Sequence, residues 1–182
     1  MTVLTQLPDL PLTCLSTAEH KSMHDEFKGK NHVIDFWTTK CTRCPEALDR
    51  IDSMAQDAKY SNVRFTSIVL DNCDGARNII ETPDDEPRWG NVGHYHLDEE
   101  YRTVAKEALG FRQVPFYVVL NEEGEVVQKG GKREIDFEAV PGVIREEKEE
   151  ERKCDVDSGE SGVVDAVGPV PMDRVFCMDD DF

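Results

Sequence analysis

The stretch "VIDFWTTKCTRCPEAL", from Val33 to Leu48, joins an apolar run to a pair of closely spaced cysteines. Its first residues are β-branched and aromatic, which predicts a short buried strand. Cys41 and Cys44 follow with two residues between them, and Pro45 comes directly after the pair. Such a pair can bind a metal, form a structural disulfide or act as a reactive dithiol. The remainder of the sequence has to distinguish these three uses.

The composition restricts the classes of partner. The chain has 182 residues, of which 38 are acidic and 21 basic, so its net charge is -17. A negative field of this size disfavours nucleic acid and anionic membranes as partners. The sequence has no basic leader followed by an apolar run, and no run of about 18 apolar residues that could cross a membrane. We therefore expect a cytoplasmic protein, in which the six cysteines are thiols rather than a disulfide framework.

The acidic charge is concentrated towards the carboxyl end. Residues 145–182 contain 13 acidic and 5 basic side chains. Because this segment has little apolar periodicity with which to build a core, we predict a solvated helix followed by an acidic, largely disordered tail. The predicted domains are residues 1–140 and residues 141–182.

Residues 1–140 show strand patterns that alternate with helix patterns. Ser16 and Glu19 form a capping-box pattern, which predicts a helix that ends at Gly29. Further helices are predicted after Cys44, over "DGARNIIE" and over "DEEYRTVAKEALG". Strands are predicted over "HVIDFW", "VRFTSIVL", "HYHL", "PFYVVL" and "EVVQKGG". This order predicts an α/β fold with a central mixed sheet and helices on its faces.

The position of Cys41 between a strand and a helix favours a reactive dithiol. Reactive groups of such sheets lie where strands end and helices begin. The helix dipole at this point stabilises a thiolate, and Lys40 and Arg43 add positive charge. Cys44, one turn into the helix, is then the more buried thiol that resolves a mixed disulfide. Asp35 is costly to bury within an apolar strand, so we predict that it has a proton-transfer role.

With these residues in place, the chain resembles the thioredoxin superfamily over residues 8–137, and its TlpA and tryparedoxin-like branches in particular. The resemblance rests on Trp37 four residues before Cys41, on Asp35 two residues before the tryptophan, on the C-T-R-C pair and on "QVPFYVVL". It implies a thioredoxin-like fold and no cofactor. It also implies that protein disulfides are the substrates and that an upstream reductant regenerates the dithiol.

The resemblance further implies roles for individual residues. Pro115 is expected to follow a cis peptide bond and to lie against the active-site disulfide, and Val114 to pair its backbone with an extended substrate. Trp37 is expected to act both in the core and as a platform for substrate. Lys40 stands where the superfamily usually has tryptophan, and Thr42–Arg43 where it usually has Gly-Pro. These two departures leave the choice of partner and the redox potential open.

Three functions follow from this pattern. The first is a thiol–disulfide oxidoreductase in which Asp35 serves as base towards Cys44. The second is a copper-binding protein, because "CTRCPEAL" is similar to the Cys-Pro stretch of Sco-type chaperones; their later histidine ligand is missing at residues 113–115. The third is an adaptor without redox turnover that presents the acidic tail to a protein partner. A zinc site would need two more ligands, and there is no second C-x-x-C, so we predict no metal site.

Two further cysteines are candidates for regulation. Cys73 follows the strand "VRFTSIVL", and it should lie on the edge of the sheet that carries Cys41 if the two strands are parallel. A third thiol there could form an alternative disulfide. Cys177 lies in the terminal sequence "VFCMDDDF". This end either docks on the positive charges beside Cys41, binds another protein or is a plain disordered tail. No role is assigned to Cys14 or Cys154.

Overall fold

The computed structural model describes residues 5–81 and 86–141, which form one mixed sheet with helices on both faces. The strands are β1 (Thr5–Gln6), β2 (Pro11–Cys14), β3 (His20–Ser22), β4 (Asn31–Trp37), β5 (Val63–Val69), β6 (Gly93–His96), β7 (Phe116–Leu120) and β8 (Glu125–Gly130). The helices are α1 (Met23–Phe27), α2 (Cys44–Gln56), α3 (Cys73–Ile80) and α4 (Glu99–Leu109), with a 3₁₀ turn at Ala58–Tyr60. The spatial order of the strands is β1-β8-β7-β4-β5-β6-β2-β3.

Strand β4 lies in the middle of the sheet. It pairs in parallel with β5 and antiparallel with β7. All seven of its residues are buried, because neighbouring strands cover both edges and helices cover both faces. A strand in this position is expected to be apolar throughout rather than alternating. The α/β fold with a central mixed sheet is therefore confirmed.

The two faces of β4 contact different helices. Val33 and Trp37 lie in an apolar cluster with Cys44, Leu48 and Ile51 of α2. Alternate residues of a strand point to opposite faces, and Ile34 and Phe36 accordingly belong to a second cluster on the other face, with residues of α1 and α4. Asp35 shares the parity of Val33 and Trp37, so its carboxylate lies on the α2 side.

The predicted helix from Ser16 to Gly29 is wrong. The chain instead forms β2, a turn, β3 and the short helix α1, which begins after Ser22. Residues 16–21 are all exposed, and Ala18 is the one apolar residue among them, so a helix here would have almost nothing to bury. Residues 20–22 instead pair with residues 11–13 in a hairpin, and Ala18 adopts a φ of 58° in the turn. The actual cap is Ser22, whose side chain accepts a hydrogen bond from the amide of Asp25.

The remaining predicted elements match the structure. Helix α4 ends at Gly110, whose φ of 77° is the left-handed conformation expected at a helix C-cap. The hairpin between β7 and β8 turns through "NEEG", with Gly124 at a φ of 83°. Among the residues that the structure describes, no helix has the length and apolar content to span a membrane.

Candidate active site

The connection between β4 and α2 carries Cys41 and is held in place by Asp71. The amide of Thr39 donates a hydrogen bond of 2.9 Å to Oδ1 of Asp71, and the Thr39 hydroxyl donates one of 2.7 Å to Oδ2. Burial by itself raises the pKa of Asp71, but the hydrogen bonds from Thr39 outweigh it and hold the pKa below its usual value. Sequence reasoning missed Asp71, although its place just after a strand parallel to β4 is a usable signal.

Cys41 and Cys44 are joined by a disulfide, with their Cα atoms 5.4 Å apart. Cys44 is the first residue of α2 and is fully buried, whereas Cys41 is partly exposed. The amide of Cys44 donates a hydrogen bond of 3.4 Å to the carbonyl of Cys41. An incoming molecule can therefore approach one sulfur of the disulfide and not the other.

The loop before β7 lies directly against Cys41. The Val114–Pro115 peptide bond is cis, as the resemblance implied. The carbonyl oxygen of Val114 lies 3.7 Å from Sγ of Cys41. Residues that are 73 positions apart in sequence therefore meet at the disulfide, and both Val114 and Pro115 are partly exposed beside it.

Asp35 lies in the middle of β4 and, by the alternation of the strand, faces the α2 side of the sheet. Its side chain is fully buried, and neither carboxylate oxygen has a hydrogen-bond partner among the residues that the structure describes. Burial raises the pKa of Asp35 well above its usual value. Tyr117 lies directly opposite on β7, and burial, together with the charge of Asp35, raises the pKa of its phenol. Sequence reasoning missed Tyr117, which looks like any aromatic strand residue.

Trp37 is a core residue. Only 1% of it is exposed, and its ring packs edge-to-face on that of Trp89 with 6.1 Å between the centroids. This burial argues against the expected role of Trp37 as a platform for substrate, because its side chain does not reach the surface. The Trp89 indole donates a hydrogen bond of 2.6 Å to Asp49 of α2. Trp89 was not anticipated because it lies in a segment rich in proline and glycine.

Lys40 and Arg43 flank the disulfide in sequence and are both exposed. Arg43 occupies the N-cap position of α2, and its side chain forms no capping hydrogen bond. Neither residue forms an ion pair with any other residue of the ranges 5–81 and 86–141. Their positive charges are therefore available to the solvent and to the disulfide region.

Cys73 and Cys14 are free thiols in different parts of the fold. Cys73 begins α3 directly beyond β5, which runs parallel to β4 as expected. It packs against the same apolar cluster as Cys41. Cys14 ends β2, which is separated from β4 by two strands. Burial raises the pKa of Cys14, but hydrogen bonds from Ser16 and Thr17 outweigh it and lower the pKa to about 7. Cys154 and Cys177 lie outside the described residues.

The described part of the chain does not cluster possible metal ligands. Within residues 5–81 and 86–141, no group of three or more His, Cys, Asp or Glu side chains is placed to hold a metal ion. His94, for example, is occupied by hydrogen bonds to the hydroxyl of Ser67 and the carbonyl of Trp89.

Two known proteins are similar to this chain in sequence over about two thirds of its length or more. The chloroplastic protein SUPPRESSOR OF QUENCHING 1 of Arabidopsis thaliana is 27% identical over 146 residues, covering 72% of this chain and 13% of that protein. The thiol-disulfide oxidoreductase ResA of Halalkalibacterium halodurans is 24% identical over 124 residues, covering 67% of this chain and 66% of that protein. This chain thus spans less than two thirds of the length of either relative.

Solved structures share the fold. The thioredoxin domain of a thiol-disulfide oxidoreductase from Bacteroides vulgatus superposes with a TM-score of 0.60 at 16% identity, covering 80% of this chain and 98% of that domain. Copper-bound ScoI of Arabidopsis thaliana superposes with a TM-score of 0.57 at 14% identity, covering 78% and 98%. At such identities the likeness establishes a thioredoxin-like fold and nothing about activity. Residues 3–143 match the Redoxin family, and the chain belongs to that family within the thioredoxin superfamily.

Proposed function

We propose that this chain is a thiol–disulfide oxidoreductase that exchanges its Cys41–Cys44 pair with protein disulfides. The observation that carries the proposal is the disulfide itself, which joins a partly exposed Cys41 to a fully buried Cys44 beside the cis Val114–Pro115 bond. A substrate sulfur can reach Cys41, while Cys44 is positioned to act only on Cys41. This asymmetry suits sequential exchange through a mixed disulfide.

The proposed exchange balances in two steps. The Cys41 thiolate attacks one sulfur of the substrate disulfide, forms a mixed disulfide and releases the other substrate sulfur as a thiolate. The Cys44 thiolate then attacks Sγ of Cys41, restores the Cys41–Cys44 disulfide and releases the second substrate thiolate. The substrate gains two electrons and the protein loses two. An external dithiol, the upstream reductant, returns the protein to its reduced form.

Three side chains would support these steps. Asp35 would accept the proton of Cys44, since a buried carboxyl with a raised pKa is matched to proton transfer near neutral pH. Lys40 and Arg43 would stabilise the Cys41 thiolate through their unpaired positive charges. Val114 would offer its backbone to an extended substrate, and Pro115 would hold that backbone against the disulfide.

The test is reduction of an insulin-type disulfide by the reduced full-length chain. We expect turnover by the native chain, none by Cys41→Ser, and a trapped mixed disulfide with Cys44→Ser. Cys14→Ser is the matched control, because Cys14 lies away from the site on β2, and it should keep full activity. A native chain without turnover would contradict the proposal and favour the adaptor alternative. Copper binding is not favoured, because residues 113–115 supply no histidine.

The order of thiol reactivity gives an independent test. In the reduced chain Cys41 should be alkylated before Cys44, because only Cys41 is exposed to reagent. Peptide mapping after partial alkylation measures this order at several pH values. If Cys44 reacts first, the roles of nucleophile and resolving thiol are reversed.

We further propose that Cys73 forms an alternative disulfide with Cys41. Oxidation of the Cys44→Ser variant would reveal by mass spectrometry whether Cys41 can form a disulfide with Cys73. Cys177 and the acidic residues 145–182, which lie outside the described residues, are proposed to engage a protein partner. A cytoplasmic location is tested by imaging the tagged full-length chain.

A further inference from the structure

A groove of about 910 Å³ lies beside the disulfide, with Arg43 and Val114 among its lining residues. Its walls come from the start of α2, from residues 110–117 around the cis bond and from residues 131–134 after β8. Val114 and Pro115 line its near end, and the Val114 carbonyl lies 3.7 Å from Sγ of Cys41. A peptide that brings a disulfide to Cys41 can therefore extend along this groove.

The groove is basic although the chain is strongly acidic. Its charged lining consists of five basic and two acidic side chains: Arg43, Arg50, Arg112, Lys132, Arg133, Glu46 and Glu134. Lys132 pairs with Glu46 at 2.7 Å. Arg43, Arg112 and Arg133 are exposed and form no ion pair with any residue that the structure describes. These three guanidinium groups are thus free to bind carboxylates.

We propose that this basic groove selects protein substrates whose disulfide is flanked by acidic residues in an extended segment. The inference rests on the redox function proposed above and names its substrate class. The net charge of -17 makes the rest of the surface repel an acidic segment. The positive groove attracts the same segment, and the two effects together guide it to the groove beside Cys41. Arginine is suited to this task because its planar group can hold a carboxylate through two parallel hydrogen bonds.

The kinetic test compares two peptides of equal length, each with one disulfide. One carries four Asp or Glu residues beside the cysteines, and the other carries Asn or Gln in the same places. In single turnovers of the reduced full-length chain at low salt, the acidic peptide should react about tenfold faster, and the ratio should fall towards one in 1 M salt. Taking the ratio of the two rates cancels changes in thiol reactivity.

Variants locate the effect in the groove. Arg112→Gln combined with Arg133→Gln should reduce the rate ratio to about two, because each removes one screened charge contact. Arg64→Gln is the matched control, since Arg64 is also exposed and lies at the far end of β5 from the site. Arg43 is left unchanged because its charge also bears on the thiolate. Equal rates for the two peptides, or an equal effect of Arg64→Gln, would overturn the proposal.

A binding measurement separates this proposal from the redox function. Acidic and neutral peptides without cysteine are titrated against the oxidised full-length chain by fluorescence anisotropy, and the acidic peptide should bind about fivefold more tightly at low salt. If neither disulfide peptide is reduced but this preference is seen, the redox function fails while the groove still binds acidic segments. Equal affinities overturn the groove assignment alone. A gain in affinity on deletion of Val175–Phe182 would make the chain's own end the occupant and overturn the assignment to substrates.

Discussion

The side chain of Asp35 is buried at a cost in free energy. Its carboxyl group is fully buried without a hydrogen-bond partner among the described residues. The hydroxyl of Tyr117, on the paired position of β7, is also buried and also lacks such a partner there. A buried polar group without a partner costs about 1–3 kcal/mol, so a sequence selected for stability alone would not retain it. The cost is consistent with the proposed transfer of a proton to and from Cys44.

This burial makes stability depend on pH. In the unfolded chain Asp35 ionises near pH 4, whereas in the folded chain its raised pKa keeps it protonated to higher pH. The free energy of unfolding should therefore fall as the pH rises through about 4 and continue to fall up to the folded pKa. Because this loss is about 1.4 kcal/mol for each pH unit, Asp35→Asn should raise the free energy of unfolding at pH 7 by at least about 1.4 kcal/mol, with a smaller gain near pH 4.

Denaturant unfolding at both pH values measures this change, and the same variant should resolve mixed disulfides at least about tenfold more slowly. Glu107→Gln is the control, because it removes a carboxylate from an exposed position on α4. A gain for Asp35→Asn that does not depend on pH would argue against a raised pKa.

The contribution of Asp71 to the free energy of unfolding should have the opposite dependence on pH. Its carboxylate anchors Thr39, and its pKa is lowered in the folded chain. It therefore stabilises the fold above the usual carboxyl pKa of about 4, and this stabilisation is lost as the pH falls through the lower folded value. Asp71→Ala should lower the free energy of unfolding at pH 7 by about 1.5–3 kcal/mol, the range for hydrogen bonds to a charged group. The variant should also slow disulfide exchange, because residues 38–40 are then held less firmly. Asp74→Ala, at an exposed neighbouring position, should cost much less in the same unfolding assay.

Among the secondary-structure elements, the β7–β8 hairpin fixes the position of β7, the strand that directly follows Pro115. Gly124 closes the turn with a φ of 83°, and its amide donates a hydrogen bond of 3.0 Å to the carbonyl of Asn121. A Cβ at Gly124 would meet no atom within 4 Å, so a substitution there is penalised only through the backbone. The conformation of this one residue therefore contributes to the geometry of the hairpin.

Gly124→Ala should lower the free energy of unfolding by about 1–2 kcal/mol, the cost of a left-handed conformation for a residue with a side chain. Thermal unfolding checks this value. Gly90→Ala is the matched control, because Gly90 has no left-handed φ and a Cβ there would lie 3.7 Å from its nearest neighbour, an ordinary contact. Equal losses for the two variants would show that the backbone of Gly124 is not the cause.

At the scale of the whole molecule, residues 135–140 complete the core on the α2 face. Ile135, Phe137 and Val140 are buried, and the Phe137 ring packs edge-to-face on Tyr117 with 5.0 Å between centroids. The carbonyl of Phe137 also accepts a hydrogen bond of 3.1 Å from the Tyr60 hydroxyl. The folded unit therefore includes residues up to about Val140, and the domain boundary between residues 140 and 141 stays a prediction.

Two truncations test this boundary. A chain that ends at Val143 should unfold within a few degrees of the full-length chain, because it keeps every buried side chain described above. A chain that ends at Gly131 should be unfolded, because truncating large buried side chains costs about 2–5 kcal/mol each against a typical total stability of about 5–15 kcal/mol. Circular dichroism against temperature measures both. Cooperative unfolding of the shorter chain would contradict the boundary.

Sequence patterns alone predict the order of most strands and helices, and they place Cys41 and Cys44 at the junction of β4 and α2. These features are local: the strand pattern, the helical spacing after Cys44 and the glycine at the end of α4 each lie within a few turns of chain. The carboxylate of Asp35 could also be found, because an acid within an apolar run is unusual wherever the strand packs.

The amino-terminal hairpin, the burial of Trp37 and the composition of the basic groove depend on contacts between distant parts of the chain. Residues 16–21 form no helix because Ala18 is the one apolar residue among them, and residues 20–22 pair with β2 instead. Arg112 and Arg133 face the same groove as Arg43 only because the sheet brings the ends of three segments together. Contacts between residues far apart in the chain leave no local pattern, so their consequences become visible only once the chain is folded.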